Sequence, residues 1–130
     1  MSELLRELDE MPLSLLDAEA DRLHQVLGGP TLIHLQGGRE PALFVCVLMH
    51  GNETSGWDAI RKVLHDHLHS EGFRLPRSLS LFIGNTEAAE KGVRHLPGQP
   101  DYNRVWPGSE THRLDCTERL MILGCACSSA

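Results

Sequence analysis

The chain has 130 residues, 41% hydrophobic and 23% charged, the balance of an ordinary globular protein, which excludes disorder over its whole length. A chain of this size buries roughly two-thirds of its unfolded surface around one modest core, so residues 1–130 read as a single domain with a helical lead-in over 1–28. The net charge of −6, without a basic stripe, argues against nucleic acid as a partner.

The first 28 residues hold seven acids against two arginines, whereas the rest hold eleven acids against ten bases. Ser2 and Glu3 open an acidic amphipathic stretch instead of a basic, then apolar, leader. With no secretory signal, Cys46, Cys116, Cys125 and Cys127 are expected as free thiols in a reducing cytoplasm. A Cys125-x-Cys127 metal site is the less favoured reading.

Leu4, Leu5, Leu8 and Met11 recur at helical spacing until Pro12 breaks the pattern. Ser14 followed by Asp17 resembles a capping box opening a helix that carries Leu15, Leu16, Leu23, Val26 and Leu27 and closes at Gly28–Gly29. Thr31 to Leu35 predicts a short strand, followed by a turn through Gly37, Gly38 and Arg39. Ala42 to Met49 is a continuous apolar run of eight residues, expected as a central strand covered on both faces and too short to cross a membrane. His50 to Thr54 leads into a helix with Trp57, Ile60, Val63, Leu64 and Leu68. Ser78 to Ile83 predicts the next strand, after which Asn85 caps a helix from Thr86 to Lys91 that stops at Gly92. A Pro- and Gly-rich loop from Leu96 to Gly108 precedes a last helix over about Glu110 to Leu123. Strands alternating with helices indicate an α/β fold, layered α/β/α around a central mixed, largely parallel sheet. In such sheets ligands sit beyond the carboxyl ends of the strands, where the His50 and Asn85 loops emerge.

Two segments carry chemistry. His50 and Glu53, three residues apart across Gly51, place a neutral imidazole and a carboxylate where both can ligate one zinc ion. The plainer alternative has His50 ending the strand and Glu53 complementing the helix dipole. In Asp101-Tyr102-Asn103-Arg104-Val105-Trp106-Pro107-Gly108, Arg104 offers a planar fork for a carboxylate, Asn103 fixes orientation, and Arg94 can add a second cation. The alternative is an Arg104–Asp101 pair that braces the loop. From Arg74 to Arg113 six bases face four acids, a locally positive stretch suited to an anionic small molecule.

The order and spacing of His50-Gly-Asn-Glu53-Thr, Gly84-Asn85, Arg94 and Asp101-Tyr-Asn-Arg-Val-Trp-Pro-Gly108 resemble the succinylglutamate desuccinylase/aspartoacylase family of the zinc carboxypeptidase superfamily, over about Thr31 to Leu123. The resemblance implies zinc as cofactor with His50 and Glu53 as ligands, and a small carboxylate substrate held by Asn103, Arg104 and Arg94. It implies that Asp101 holds the loop or orients His50 through its second nitrogen, with Asn85 beside the site. It also implies a third histidine ligand and a catalytic glutamate on later elements, so the chain reads as the N-terminal part of such a domain. His112 is too close to Arg104 to be that ligand. The functional expectation is a zinc-dependent hydrolase of an N-acyl amino acid, possessing no membrane or nucleic-acid partner. The alternative is a non-catalytic remnant whose exposed sheet edge favours self-association into a homo-oligomer.

Other polar residues carry blander readings. His65 and His69 share a solvated helix face with His67 turned away, His34 belongs to a strand surface, and His24 to the first helix. Cys46 is expected as a small core residue, and Ser55 lacks companions for nucleophilic work.

Overall fold

Five consecutive residues, Leu79–Ile83, are all buried and form the strand around which the rest assembles. The computed structural model describes residues 5–68, 74–104 and 106. In chain order the elements are β1 (Arg6–Leu8), α1 (Leu23–Leu27), β2 (Thr31–Leu35), β3 (Leu43–Val47), α2 (Ser55–Leu68), β4 (Leu79–Ile83) and α3 (Thr86–Lys91). Three 3-10 turns, Leu13–Asp17, Ala20–Arg22 and Tyr102–Arg104, complete the described set. The strands form one sheet in the order β1-β2-β4-β3. The β1–β2 and β3–β4 pairs are parallel and β2–β4 is antiparallel, giving the mixed, mostly parallel sheet expected of this α/β fold. No helix among the described residues is long and apolar enough to cross a membrane.

Strand alternation sorts the side chains into two clusters. Leu79, Leu81 and Ile83 of β4, with Ile33 of β2 and Val47 of β3, pack with Leu15, Leu16, Leu23, Leu27, Trp57, Leu64 and Ala89 of the helices and turns. On the other face Leu32 and Phe82 pack with Tyr102, and Phe44, Met49 and Trp106 lie against them. The described helices therefore feed one face of the sheet, while Tyr102 and Trp106 cover part of the other. The helix expected over 110–123 lies outside the described residues.

Three expectations are corrected. The stretch through Leu5, Leu8 and Met11 is not helical: Arg6–Leu8 pairs with Thr31 to Ile33 as β1, and the Arg6 guanidinium donates to Leu27 O at 2.9 Å. The capping-box helix is replaced by two 3-10 turns and the short α1. Pro12, not Ser14, stands at the first N-cap and no side chain caps that turn. The cause is tertiary, because Ala18 O accepts from Trp57 Nε1–H at 2.9 Å and from Arg61 Nη1–H at 2.8 Å. A carbonyl held there cannot continue a helical ladder, and Ala18 is extended at ψ 132°. Finally, the apolar run at Ala42 to Met49 forms an edge strand among the described residues: β3 pairs only with β4, Leu43 is 57% exposed and Cys46 is exposed, not core. β4 holds the central place instead. The cap of α3 is as expected, with Asn85 Oδ1 accepting from Ala88 N–H and Gly92 as the left-handed stop.

The contrast between β4 and β3 is measurable. Leu81→Ala should cost about 2–5 kcal/mol, the range for emptying a core position, whereas Leu43→Ala should cost less than about 1 kcal/mol. Urea denaturation of both variants checks this, and equal losses would contradict the placement of β3 at the edge.

Candidate functional site

Because β3 and β4 are parallel with Val47 opposite Ile83, both chains leave the sheet side by side at their carboxyl ends. Leu48, buried, turns the chain there in the left-handed region at φ 56°. That conformation costs a non-glycine residue on the order of 1–3 kcal/mol, and it is held by the Asn85 N–H, which donates to Leu48 O at 2.7 Å. Two glycines permit the close approach that follows. A Cβ on Gly51 would lie 2.4 Å from backbone atoms of Ala88 and Ala89 and 2.5 Å from Val93 O. The Gly51 N–H donates to Arg94 O at 2.9 Å. A Cβ on Gly84 would lie 3.1 Å from Leu48 O and 3.4 Å from the Tyr102 ring. The His50 turn is thus clamped against α3 and the segment after it.

His50 is 6% exposed at its side chain, and its Nε2 lies 2.9 and 3.0 Å from the two carboxylate oxygens of Asp101. A carboxylate only accepts, so the Nε2 proton is donated to Asp101 and the Nδ1 lone pair is left over. Nδ1 is buried and has no hydrogen-bond partner, although Glu53 Oε1 is 3.2 Å away. Nδ1 thus faces a carboxylate oxygen at close range without a hydrogen bond between them. Adjacent ligand atoms on a tetrahedral zinc ion stand about 3.3–3.6 Å apart for bonds near 2.0–2.2 Å, slightly more than the separation here. An imidazole nitrogen left without a partner and a carboxylate oxygen are donor types that zinc accepts, so the residues present suit that ion by their chemistry. Among the described residues no third His, Cys, Asp or Glu joins them into a metal-holding group.

Asp101 is 14% exposed at its side chain and accepts at Oδ1 from the Asn103 N–H at 2.9 Å, an Asx-type turn, and at Oδ2 from Arg94 at 3.4 Å. Burial pushes its carboxyl pKa up, but the hydrogen bonds from Asn103, His50 and Arg94 outweigh burial and hold it below the usual aspartate value. Arg94 is half-exposed, Asn103 is exposed, and Arg104 ends the 3-10 turn that begins at Tyr102. His50, Glu53, Asp101 and Arg94 are therefore brought together, with Asn103 joined through its backbone. Asn85 is placed differently. Its Nδ2 donates to Gln99 Oε1 at 2.8 Å, and Gln99 also accepts from Leu96 N–H, so Asn85 braces the loop that leads to Asp101 and does not touch the imidazole.

Gln99, Tyr102 and Trp106 act in this assembly without having been singled out from the sequence; their signal lies in packing. A cavity of about 440 Å³ opens far from this site, past the carboxyl end of β2 and the start of β4, and includes His34, Glu40, Ser78 and Ser80 in its wall. Within that wall His34 bonds Ser80 and Ser78 bonds Glu40, and His34 also pairs with Glu7 of β1. His24 bonds Thr86, and His65 lies near Asp17 and Asp66 on an exposed face. His69, His112, Cys116, Cys125 and Cys127 lie outside the described residues.

The lowered Asp101 pKa has a consequence for stability. A carboxyl depressed on folding stabilises the native state above about pH 4 and loses that contribution as pH falls through the folded value. Asp101→Asn should therefore flatten the acid limb of the stability curve relative to the parent. Urea denaturation from about pH 2 to 6 reads this out, and parallel curves would count against the Asp101 contacts.

A family profile described as the succinylglutamate desuccinylase/aspartoacylase catalytic domain matches residues 39–121. No curated protein and no solved structure matches the chain. The matched span covers well over half of the 130 residues and contains β3, α2, β4, α3 and every residue of the site. The chain belongs to the succinylglutamate desuccinylase/aspartoacylase catalytic-domain family.

Proposed function

We propose that this chain carries the zinc-binding and carboxylate-holding part of a hydrolase that cleaves the amide or ester bond of an N-acyl amino acid or a similar small carboxylate. The family makes the scaffold a hydrolase type. The observation that carries the finer reading is the orphaned His50 Nδ1, 3.2 Å from Glu53 Oε1, with Nε2 committed to Asp101. His50 and Glu53 would hold the ion, and zinc there supplies Lewis-acid polarisation of the scissile carbonyl.

The remaining work falls to the chain's own side chains. Asp101 accepts the hydrogen bond from Nε2–H and so keeps the ring in the tautomer that presents Nδ1. Asn103 and Arg104 share the 3-10 turn next to Asp101, and Arg94 lies against the same carboxylate. A guanidinium binds a carboxylate by two parallel bonds, which fixes the angle of approach as well as the affinity. A substrate acid held by Asn103 and Arg104 would be fixed relative to the rest of the site, and orientation of that kind supplies a large share of a hydrolytic rate. Glu53, 62% exposed at its side chain, is open to solvent.

Elemental analysis of protein dialysed against zinc should find bound metal, and His50→Ala should lose it. The loaded protein should bind N-acetylglycine more tightly than its carboxamide, by about tenfold for one lost charge-assisted bond. Zinc uptake that survives His50→Ala, or that disappears instead on replacing Cys125 and Cys127, would contradict the reading.

A further inference from the structure

We propose that Trp106 is a positioning residue for the His50 site, acting through Asp101. The inference rests on the metal-site reading above and adds to it the part that holds the loop in place.

The contacts inside the loop do not fix it to the sheet. The Asn103 N–H to Asp101 bond is local, and the Arg94 to Asp101 contact is long at 3.4 Å from an exposed guanidinium. These shape the turn. Besides the Asn85–Gln99 brace before Asp101 and the His50–Asp101 bonds themselves, the anchoring after it is aromatic. The Trp106 ring meets Phe44 of β3 edge-on, with centroids 5.9 Å apart at 74°, and Phe82 of β4 at 6.2 Å and 87°. Edge-to-face geometry of this kind is directional, because the positive ring edge seeks the negative face. Tyr102, 4% exposed, packs in the same cluster as Leu32 and Phe82, and its ring closes on Gly84.

Tyr102 and Trp106 therefore anchor the chain on both sides of Asn103 and Arg104. Trp106 does so on the two strands whose carboxyl ends carry His50 and Asn85. Phe44 lies six residues before His50 and Phe82 three before Asn85, so one indole spans both strands that deliver the site. Releasing it would free the loop to carry Asp101 away from His50 Nε2, and the imidazole would lose its fixed tautomer. Trp106 need not touch metal or substrate to matter.

Zinc affinity of the full chain, measured by competition with a chromophoric chelator, tests this. Trp106→Ala should weaken zinc binding about tenfold, the lower end of the loss on removing a partner of a ligating histidine. Trp106→Phe, which keeps a ring edge, should stay within about twofold of the parent. Trp106→Ala added to Asp101→Asn should weaken zinc no further than Asp101→Asn alone, since both act by one route. Phe44→Leu, which leaves the loop sequence intact, should show an intermediate loss and keeps the test open if Trp106→Ala does not fold. Losses that add in full, or a Trp106→Ala protein that binds zinc as the parent does, would overturn the proposal while Asp101→Asn still weakens binding. Zinc affinity unchanged in both His50→Ala and Asp101→Asn would instead defeat the metal-site reading, and the proposal with it.

Discussion

A single contact, from His50 Nε2 to the Asp101 carboxylate, joins two positions 51 residues apart and gives the strand-end loops their relation to each other. Without it, His50 is a buried imidazole at a strand end and Asp101 a carboxylate folded back on its own loop. With it, the proton has a defined home and the opposite nitrogen is left facing Glu53. Much of the architecture serves to let these two residues meet. Parallel pairing of β3 and β4 brings the loops to one edge of the sheet, and Leu48 accepts a disfavoured backbone angle to turn the chain there. Gly51 and Gly84 remove the Cβ atoms that would hold the segments apart.

The two faces of the sheet make separate contributions. On one, Trp57, Leu64 and the short N-terminal turns enclose β4 and supply the apolar burial that stabilises the strands. On the other, a smaller cluster of Leu32, Phe82 and Tyr102, edged by Phe44 and Trp106, ties down the loop that carries Asp101. Core and site thus share β3 and β4, while the helices sit on the face away from the anchoring rings. A change in the helical layer should be felt first as stability, and a change in the aromatic patch first as geometry at His50.

The parts legible in the sequence are those set by neighbours along the chain. The Asn85 cap, the Gly92 stop and the strands β2 and β4 follow from local side-chain chemistry and alternation, and they stand where the pattern puts them. The N-terminal helix was not legible, because Ala18 O is claimed by Trp57 and Arg61 some forty residues later. The place of β3 was not legible either. A continuous run of apolar residues reads alike at the middle and at the edge of a sheet, and only its pairing distinguishes the two. At the site, the His50-x-x-Glu53 spacing alone left open both a metal pair and a strand end followed by a helix-dipole acid, and the ligand roles came from resemblance. The partnership with Asp101 came from resemblance, and the work of Tyr102, Gln99 and Trp106 needed three-dimensional contacts.

The central claim is that Asp101 fixes the His50 tautomer and frees Nδ1. Long-range nitrogen–proton NMR of histidine-labelled protein reads both ring nitrogens directly. The account predicts a His50 ring protonated at Nε2 in the metal-free protein, and on zinc addition a shift of the Nδ1 resonance while the Nε2 proton persists. A ring protonated at Nδ1, or zinc that displaces the Nε2 proton, would contradict it.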